Sequence, residues 1–254
     1  MKATIVQALN RIEEEHQVKI ILACESGSRA WGFPSRDSDY DVRFIYVHQK
    51  PWYLSIADKR DVIELPVDAI LDINGWDLKK ALQLMRKSNS PLLEWLCSPI
   101  QYRVWPEVYD RLVQLAKQAF LPKTACHHYL AMAKSSAEKL KGNERVKLKT
   151  YMYAIRPVLC CQWIVDHMEH PPMRIDDLLA DVENDRPFKD TVIQLIARKK
   201  EQTERDTVKR LDIIETYINQ KIVELENNIP DNTPQPDQDL FDDVFRSILE
   251  GPNI

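Results

Sequence analysis

Hydrophobic positions recur every three or four residues across residues 2–16, where Ile5, Val6, Leu9 and Ile12 form one stripe, so the spacing predicts an amphipathic helix. The period then changes. Residues 18–23, V-K-I-I-L-A, are a short apolar run that predicts a buried strand. Residues 25–29, E-S-G-S-R, predict a turn that opens a short helix. Residues 39–46, D-Y-D-V-R-F-I-Y, predict a second strand, whose twofold alternation puts Asp39, Asp41 and Arg43 on one face and Tyr40, Val42 and Phe44 on the other. Residues 48–54 break the pattern and predict a loop, and residues 61–65 predict a strand paired antiparallel to its neighbour and stopped by Pro66. Residues 69–80 read as a short strand, a turn at Asn74-Gly75, and a helix capped by Asp77 or Asn74.

From Leu78 onward the periodicity is nearly all helical. Helices are predicted over residues 79–86, over 90–96 with Pro91 at the start, and over 107–120. Further helices begin at His127-His128, cover 145–157, and run long over 191–225, with Val192, Leu195, Ile196, Leu211 and Ile214 as core contacts. Residues 176–190 read as a polar connection holding a short helix. The Pro- and Asn-rich stretch 227–238 predicts a flexible linker, followed by a short helix carrying Phe241, Val244, Phe245, Ile248 and Leu249. The predicted organisation is therefore a first domain over 1–120, a helical domain over 121–226, and a linker with a terminal helix over 227–254.

Composition narrows the partners. At 254 residues the chain has ample length for a real core. A net charge of −4 argues against a protein that coats long nucleic acid, while leaving a single nucleotide or one RNA end open. Five cysteines in apolar surroundings, without C-x-x-C spacing, predict reduced core residues of a cytoplasmic protein. Neither a signal-peptide pattern nor a membrane-length apolar run is present, so no membrane partner is expected. Of only five glycines, Gly27 and Gly32 fall in the opening motif, which points to local backbone demands there.

Two carboxylates adjacent on a strand face repel each other, an arrangement that a divalent cation relieves. Oxygen donors without Cys or His select Mg²⁺ or Mn²⁺, which commonly sit on one or two carboxylates plus substrate phosphates. The turn before the strand supplies a complementary half: Gly27 lets backbone approach closely, and Ser28 with its neighbouring amides can hold a terminal phosphate. Metal carboxylates beside a phosphate cradle imply nucleotide chemistry. Elsewhere, Lys149, Tyr153 and Arg156 fall on one helix face at i, i+4 and i+7, which alone is also the pattern of a solvated basic face. His127 and His128 read as structural rather than catalytic.

The pattern G-S-x10-D-x-D formed by Gly27, Ser28, Asp39 and Asp41 resembles the signature of the polymerase-β-like nucleotidyltransferase superfamily. The wider wording G-S-R-A-W-G-F-x-S-x-D-S-D-Y-D-V-R resembles a bacterial subgroup associated with RNA repair. The resemblance implies an α+β fold, with a small mixed sheet in the catalytic domain and a helical domain after it. It implies transfer of a nucleoside monophosphate from an NTP to an acceptor hydroxyl, which is an RNA end, a protein or a small molecule. It also implies a third acidic residue on a later core strand; Asp72, otherwise a costly carboxylate in an apolar strand, fits better than Glu64. The face of Lys149, Tyr153 and Arg156 resembles the helix that meets the triphosphate in that superfamily. A second reading is a non-catalytic, antitoxin-like binding module, which the intact D-x-D argues against. The sequence leaves the oligomeric state and the choice of NTP open.

Overall fold

The computed structural model describes residues 1–66, 70–182 and 185–251. In chain order the first elements are α1 (Lys2–His16), β1 (Val18–Glu25), α2 (Gly27–Trp31), β2 (Tyr40–His48), α3 (Lys50–Tyr53) and β3 (Val62–Glu64). There follow β4 (Leu71–Asp77), α4 (Leu78–Met85), α5 (Ser90–Leu96), β5 (Gln101–Val104) and α6 (Pro106–Gln118). The remainder comprises α7 (Pro122–Glu138), β6 (Arg145–Lys147), α8 (Leu148–His167), α9 (Ile175–Ala180) and α10 (Arg186–Glu201), then β7 (Thr207–Lys209), α11 (Asp212–Asn227) and α12 (Gln238–Leu249). These sort into two compact units: residues 1–27, 39–120 and 234–254, and residues 28–38 with 121–233.

The first unit is built on a five-stranded mixed sheet in the order β3-β4-β2-β1-β5. β1 lies antiparallel to β2 and β5, β3 lies antiparallel to β4, and β2 and β4 run parallel. The alternation read from the sequence holds: Val42, Phe44 and Tyr46 are buried on the face that receives Ile5, Leu9 and Ile12 of α1. Burying each of those side chains contributes on the order of 1.5–3 kcal/mol. α4 begins where Asp77 accepts the amide of Lys79, and α5 where Asn89 accepts that of Leu92. α12 folds back onto this unit through buried Phe241 and Ile248, with Phe245 edge-on to Tyr53.

Several local expectations give way here. The residues expected to loop at 48–54 include α3, whose first turn accommodates Pro51. Asn74-Gly75 is not a turn: β4 runs through it to Asp77. Gly75 is required because a Cβ at that point would overlap the Phe44 ring, so the glycine is a slot for an aromatic neighbour. β5 escaped notice because four residues of mixed polarity, Q-Y-R-V, carry little periodic signal. Ala69, where the 69–80 segment was expected to start, lies outside the described residues.

In the second unit α7 and α8 pack together, and α11 contacts both. α7 starts at Pro122, ahead of His127 and His128, and Pro157 sits inside α8 without ending it. The predicted single helix over 191–225 is two, α10 and α11. Between them Asp206 accepts the amide and hydroxyl of Thr203, and the β-branched run Thr207-Val208 then pairs with β6. The polar connection at 176–190 contains residues 183 and 184, which lie outside the described residues. Among the described residues no helix is long and apolar enough to cross a membrane.

Candidate functional site

The parallel register of β2 and β4 sets Asp41 directly opposite Asp72. Strand neighbours in register project to the same face, so two carboxylates that are distant in sequence stand side by side. Asp39 is exposed and stands one residue ahead of β2. Arg43, two residues on, completes the face. Its Nη2 donates to Asp41 Oδ1 at 3.0 Å and to Asp72 Oδ2 at 2.7 Å, and its Nη1 donates to the Asp72 carbonyl at 3.2 Å. A single guanidinium thus bridges both carboxylates.

The end of β1 clamps Asp41 from the other side. Glu25 is buried, and its carboxylate accepts the Asp41 amide at 2.9 Å and the Tyr102 hydroxyl. The Ser26 amide donates to the Asp41 carbonyl at 2.8 Å, and Ser98 Oγ to the Glu25 carbonyl at 2.6 Å. Gly27 has φ +60, and a Cβ there would overlap the Asp41 carboxylate. The glycine therefore serves both the left-handed backbone and a close approach. Glu64 is engaged differently: it is exposed, pairs with Arg60 and accepts Asn74 Nδ2 at 3.0 Å.

Among the described residues no group of three or more His, Cys, Asp or Glu side chains is arranged to hold a metal ion. Asp41 and Asp72 nevertheless offer hard oxygen donors on one half-exposed face, the donor set that Mg²⁺ completes with substrate phosphates and water. The donor chemistry fits such an ion, with Arg43 as the group that neutralises the pair in its absence.

The remaining predicted residues lie in the second unit, along one continuous run of contacts. Lys149 Nζ lies 5.6 Å from the Tyr153 ring centre, Tyr153 meets Trp31 edge-on at 5.5 Å, and the Arg156 guanidinium lies 4.6 Å from the Trp31 ring. The helical spacing is thus realised, with Trp31 as an unforeseen hub. Arg156 is 3 % exposed and donates to the Met173 carbonyl at 3.2 and 3.3 Å, so its charge is spent on holding the unit's own backbone and Trp31. Lys149 is half-exposed and pairs with Glu204 at 3.1 Å. Ser28 Oγ donates to Ser38 Oγ at 3.2 Å.

Glu204 and Lys199 are the residues that sequence reasoning missed. Glu204 Oε1 accepts from Ser35 Oγ at 3.1 Å, Ser38 Oγ at 3.2 Å and Lys199 Nζ at 3.1 Å, and the Asp37 carboxylate accepts the Glu204 amide at 2.9 Å. Lys199, 1 % exposed, also donates to Ser35 Oγ at 2.6 Å. Burial would raise the Glu204 carboxyl, but the Lys149 hydrogen bond and the Lys199 charge outweigh it and pull the group down to about 2. Burial depresses the Lys199 ammonium against the pull of Glu204. The one sequence-level hint was Ser35 and Ser38 between the two halves of the motif.

The chain is similar to known proteins along most of its length. The profile of RlaP, the RNA repair pathway DNA polymerase beta family, matches residues 1–247. A Bacillus subtilis (strain 168) protein, YcgL, described as uncharacterized, is 46% identical over 222 residues, spanning 87% of this chain and 85% of that protein. A crystal structure of a nucleotidyltransferase-like protein from Exiguobacterium sibiricum 255-15 aligns over 89% of this chain and 74% of that one. Its identity is 12% and its TM-score 0.34, a likeness too low to carry an argument about the site.

Proposed function

We propose that this chain, which belongs to the RNA repair pathway DNA polymerase beta family, transfers a nucleoside monophosphate from an NTP to an acceptor hydroxyl and releases pyrophosphate. The observation that carries the reading is the parallel register that sets Asp41 against Asp72, with Asp39 one residue ahead of the strand and Gly27 pressed onto the Asp41 carboxylate. Asp39, Asp41 and Asp72 would hold Mg²⁺ or Mn²⁺. Such an ion neutralises converging carboxylate and phosphate charge and polarises the phosphoryl group. Phosphoryl transfer asks mainly for alignment and charge neutralisation, which fixed carboxylates and phosphate donors provide.

We infer the following roles. Asp72 is the third carboxylate and accepts the proton of the attacking hydroxyl; Glu64 is occupied by Arg60 and Asn74. Gly27, Ser28 and Lys149 contact the phosphates. Tyr153 orients Lys149, and Arg156 acts through Trp31 rather than on the nucleotide. The acceptor is an RNA end, a protein or a small molecule, and the family's RNA-repair description makes an RNA 3′ end the first to try. A second reading, nucleotide or partner binding without turnover, draws support from Arg43, which satisfies both carboxylates without any metal.

Incubation with each α-labelled NTP, Mg²⁺ or Mn²⁺, and an RNA bearing a 3′ hydroxyl tests the proposal. The expected result is metal-dependent pyrophosphate release matched by label in an acceptor, from the RNA or from a cell extract. NTP binding with no pyrophosphate from any acceptor would leave the binding-module reading standing instead.

A further inference from the structure

One carboxylate of the second unit reaches Ser28 through Ser38 and Lys149 directly, the two side chains assigned above to the phosphates. From the first, Ser28 Oγ donates to Ser38 Oγ, which donates to Glu204 Oε1. From the second, Lys149 Nζ reaches Glu204 Oε2 at 3.1 Å. The carboxylate cannot drift, because Lys199 and Ser35 hold Oε1 from beneath and Asp37 holds its backbone amide. Three of those partners, Ser35, Ser38 and Lys199, are at least 95 % buried. The arrangement is more than an anchor for residues 28–38. Lys199, Ser35 and Asp37 would pin that segment without any bond to Lys149, yet Glu204 spends its second oxygen on that half-exposed ammonium.

We propose that Glu204 is a positioning residue for phosphate recognition, setting the Ser28 hydroxyl and the Lys149 ammonium from the two oxygens of one carboxylate. This rests on the nucleotidyltransferase reading above. Through Ser38 it fixes the Ser28 hydroxyl, whose lone pairs and proton otherwise rotate freely. Through the ion pair it limits a long, flexible ammonium to one region, lowering the ordering cost when phosphate arrives. Its ligand class is the polyphosphate tail, not the base or sugar.

The test is calorimetric titration of the full chain with the four ribonucleoside triphosphates and their monophosphates in Mg²⁺, for the natural protein and for Glu204→Gln, Glu204→Asp and Ser38→Ala. Glu204→Gln should weaken the preferred triphosphate about tenfold and leave the monophosphate within twofold. In turnover, KM should rise with kcat within about threefold, and Glu204→Asp should recover part of the loss. Ser38→Ala, which leaves the Lys199 pair in place, should weaken triphosphate alone by about threefold should Glu204→Gln prove too unstable to purify. Unchanged triphosphate affinity, or equal losses for triphosphate and monophosphate, would overturn the positioning role. If the natural protein binds none of the four triphosphates, the nucleotidyltransferase reading fails and takes this inference with it.

Discussion

The two charge clusters of this chain invert one another. On the sheet of the first unit, one cation, Arg43, stands between two carboxylates, Asp41 and Asp72, with side-chain exposures of 18%, 25% and 29%. In the second unit, one carboxylate, Glu204, stands between two ammonium groups, Lys149 and Lys199, and Lys199 is 1% exposed. The first cluster retains a negative charge and every member can turn to water, so its ion pairs are cheap to exchange. The second retains a positive charge and is built on a lysine with nowhere else to go, so it is fixed. The partial exposure of Arg43 against the burial of Lys199 decides which cluster can trade partners at its centre and which keeps a fixed centre, with only the exposed Lys149 left to meet a ligand.

The largest effect expected from that contrast is on stability. Lys199→Ala leaves Glu204 and Ser35 short of a buried partner and should destabilise the second unit by about 3 kcal/mol. Arg43→Met breaks two ion pairs where Lys199→Ala breaks one, but in partly solvated surroundings, and should cost less than about 1 kcal/mol. Urea unfolding of both variants makes the comparison. Equal losses would show that exposure does not separate the clusters.

Next comes activity. Asp41→Asn or Asp39→Asn should lower nucleotidyl transfer by about 10²–10³ while leaving the melting temperature within a few degrees, since relieving a like-charge neighbour costs little. Asp72→Asn should lower the rate comparably but keep NTP affinity within a few-fold, because it acts on the attacking hydroxyl. Single-turnover rates beside binding measurements separate the two patterns. Full activity in either Asp39→Asn or Asp41→Asn would remove that carboxylate from the metal set, and in Asp72→Asn it would end the three-carboxylate assignment.

How much of this contrast could be read from the chain is itself uneven. The α1 stripe and the D-x-D strand follow from period alone, because each buries one face against the same core. The pairing of Asp41 with Asp72 does not: it depends on parallel register across 31 residues, and sequence gives the acid without its neighbour. Gly75 misled for a definable reason. Glycine ordinarily marks a turn, and nothing local announces that a phenylalanine on another strand needs the space. The Lys199–Ser35 bond spans 164 residues, so the most firmly held charge in the second unit reads as an ordinary basic position near a helix end. Helical spacing did put Lys149, Tyr153 and Arg156 on one face, but it could not say that Arg156 would be sealed beneath Trp31.

Acid should sharpen the comparison further. The Glu204 carboxyl is held down at about 2, below its ordinary 4.5, so its contribution is fully present above pH 4.5. It is lost as pH falls from 4.5 toward 2, where the folded state must also take up the proton. Discounted for its partial exposure, the contribution is about 1–2 kcal/mol. Thermal melts of the natural protein should therefore drop faster over that window than those of Glu204→Gln, whose already lower stability should depend less on pH there. Parallel curves would mean that other carboxylates govern the acid limb.

The smallest expected effect concerns Glu64, and it tests whether any acid near the sheet would serve. Glu64 ends β3 opposite Asn74, on the far side of β4 from Asp41, and its carboxylate is shared between Arg60 and Asn74 Nδ2. Both it and Arg60 are exposed, with side-chain exposures of 50% and 69%, so their ion pair sits in the regime where a surface bridge is worth little. Glutamine keeps a carbonyl oxygen to accept from Asn74 and loses only the charge. Glu64→Gln should thus shift stability by less than about 0.5 kcal/mol and leave the transfer rate within about twofold. Although Asn74 and Asp72 share a face of β4, Glu64 is exposed, so its charge acts on the carboxylate pair only weakly through solvent. A loss of 10² in rate with NTP binding retained would reverse the assignment, making Glu64 the third carboxylate and leaving Asp72 as the partner that Arg43 needs to stay in place.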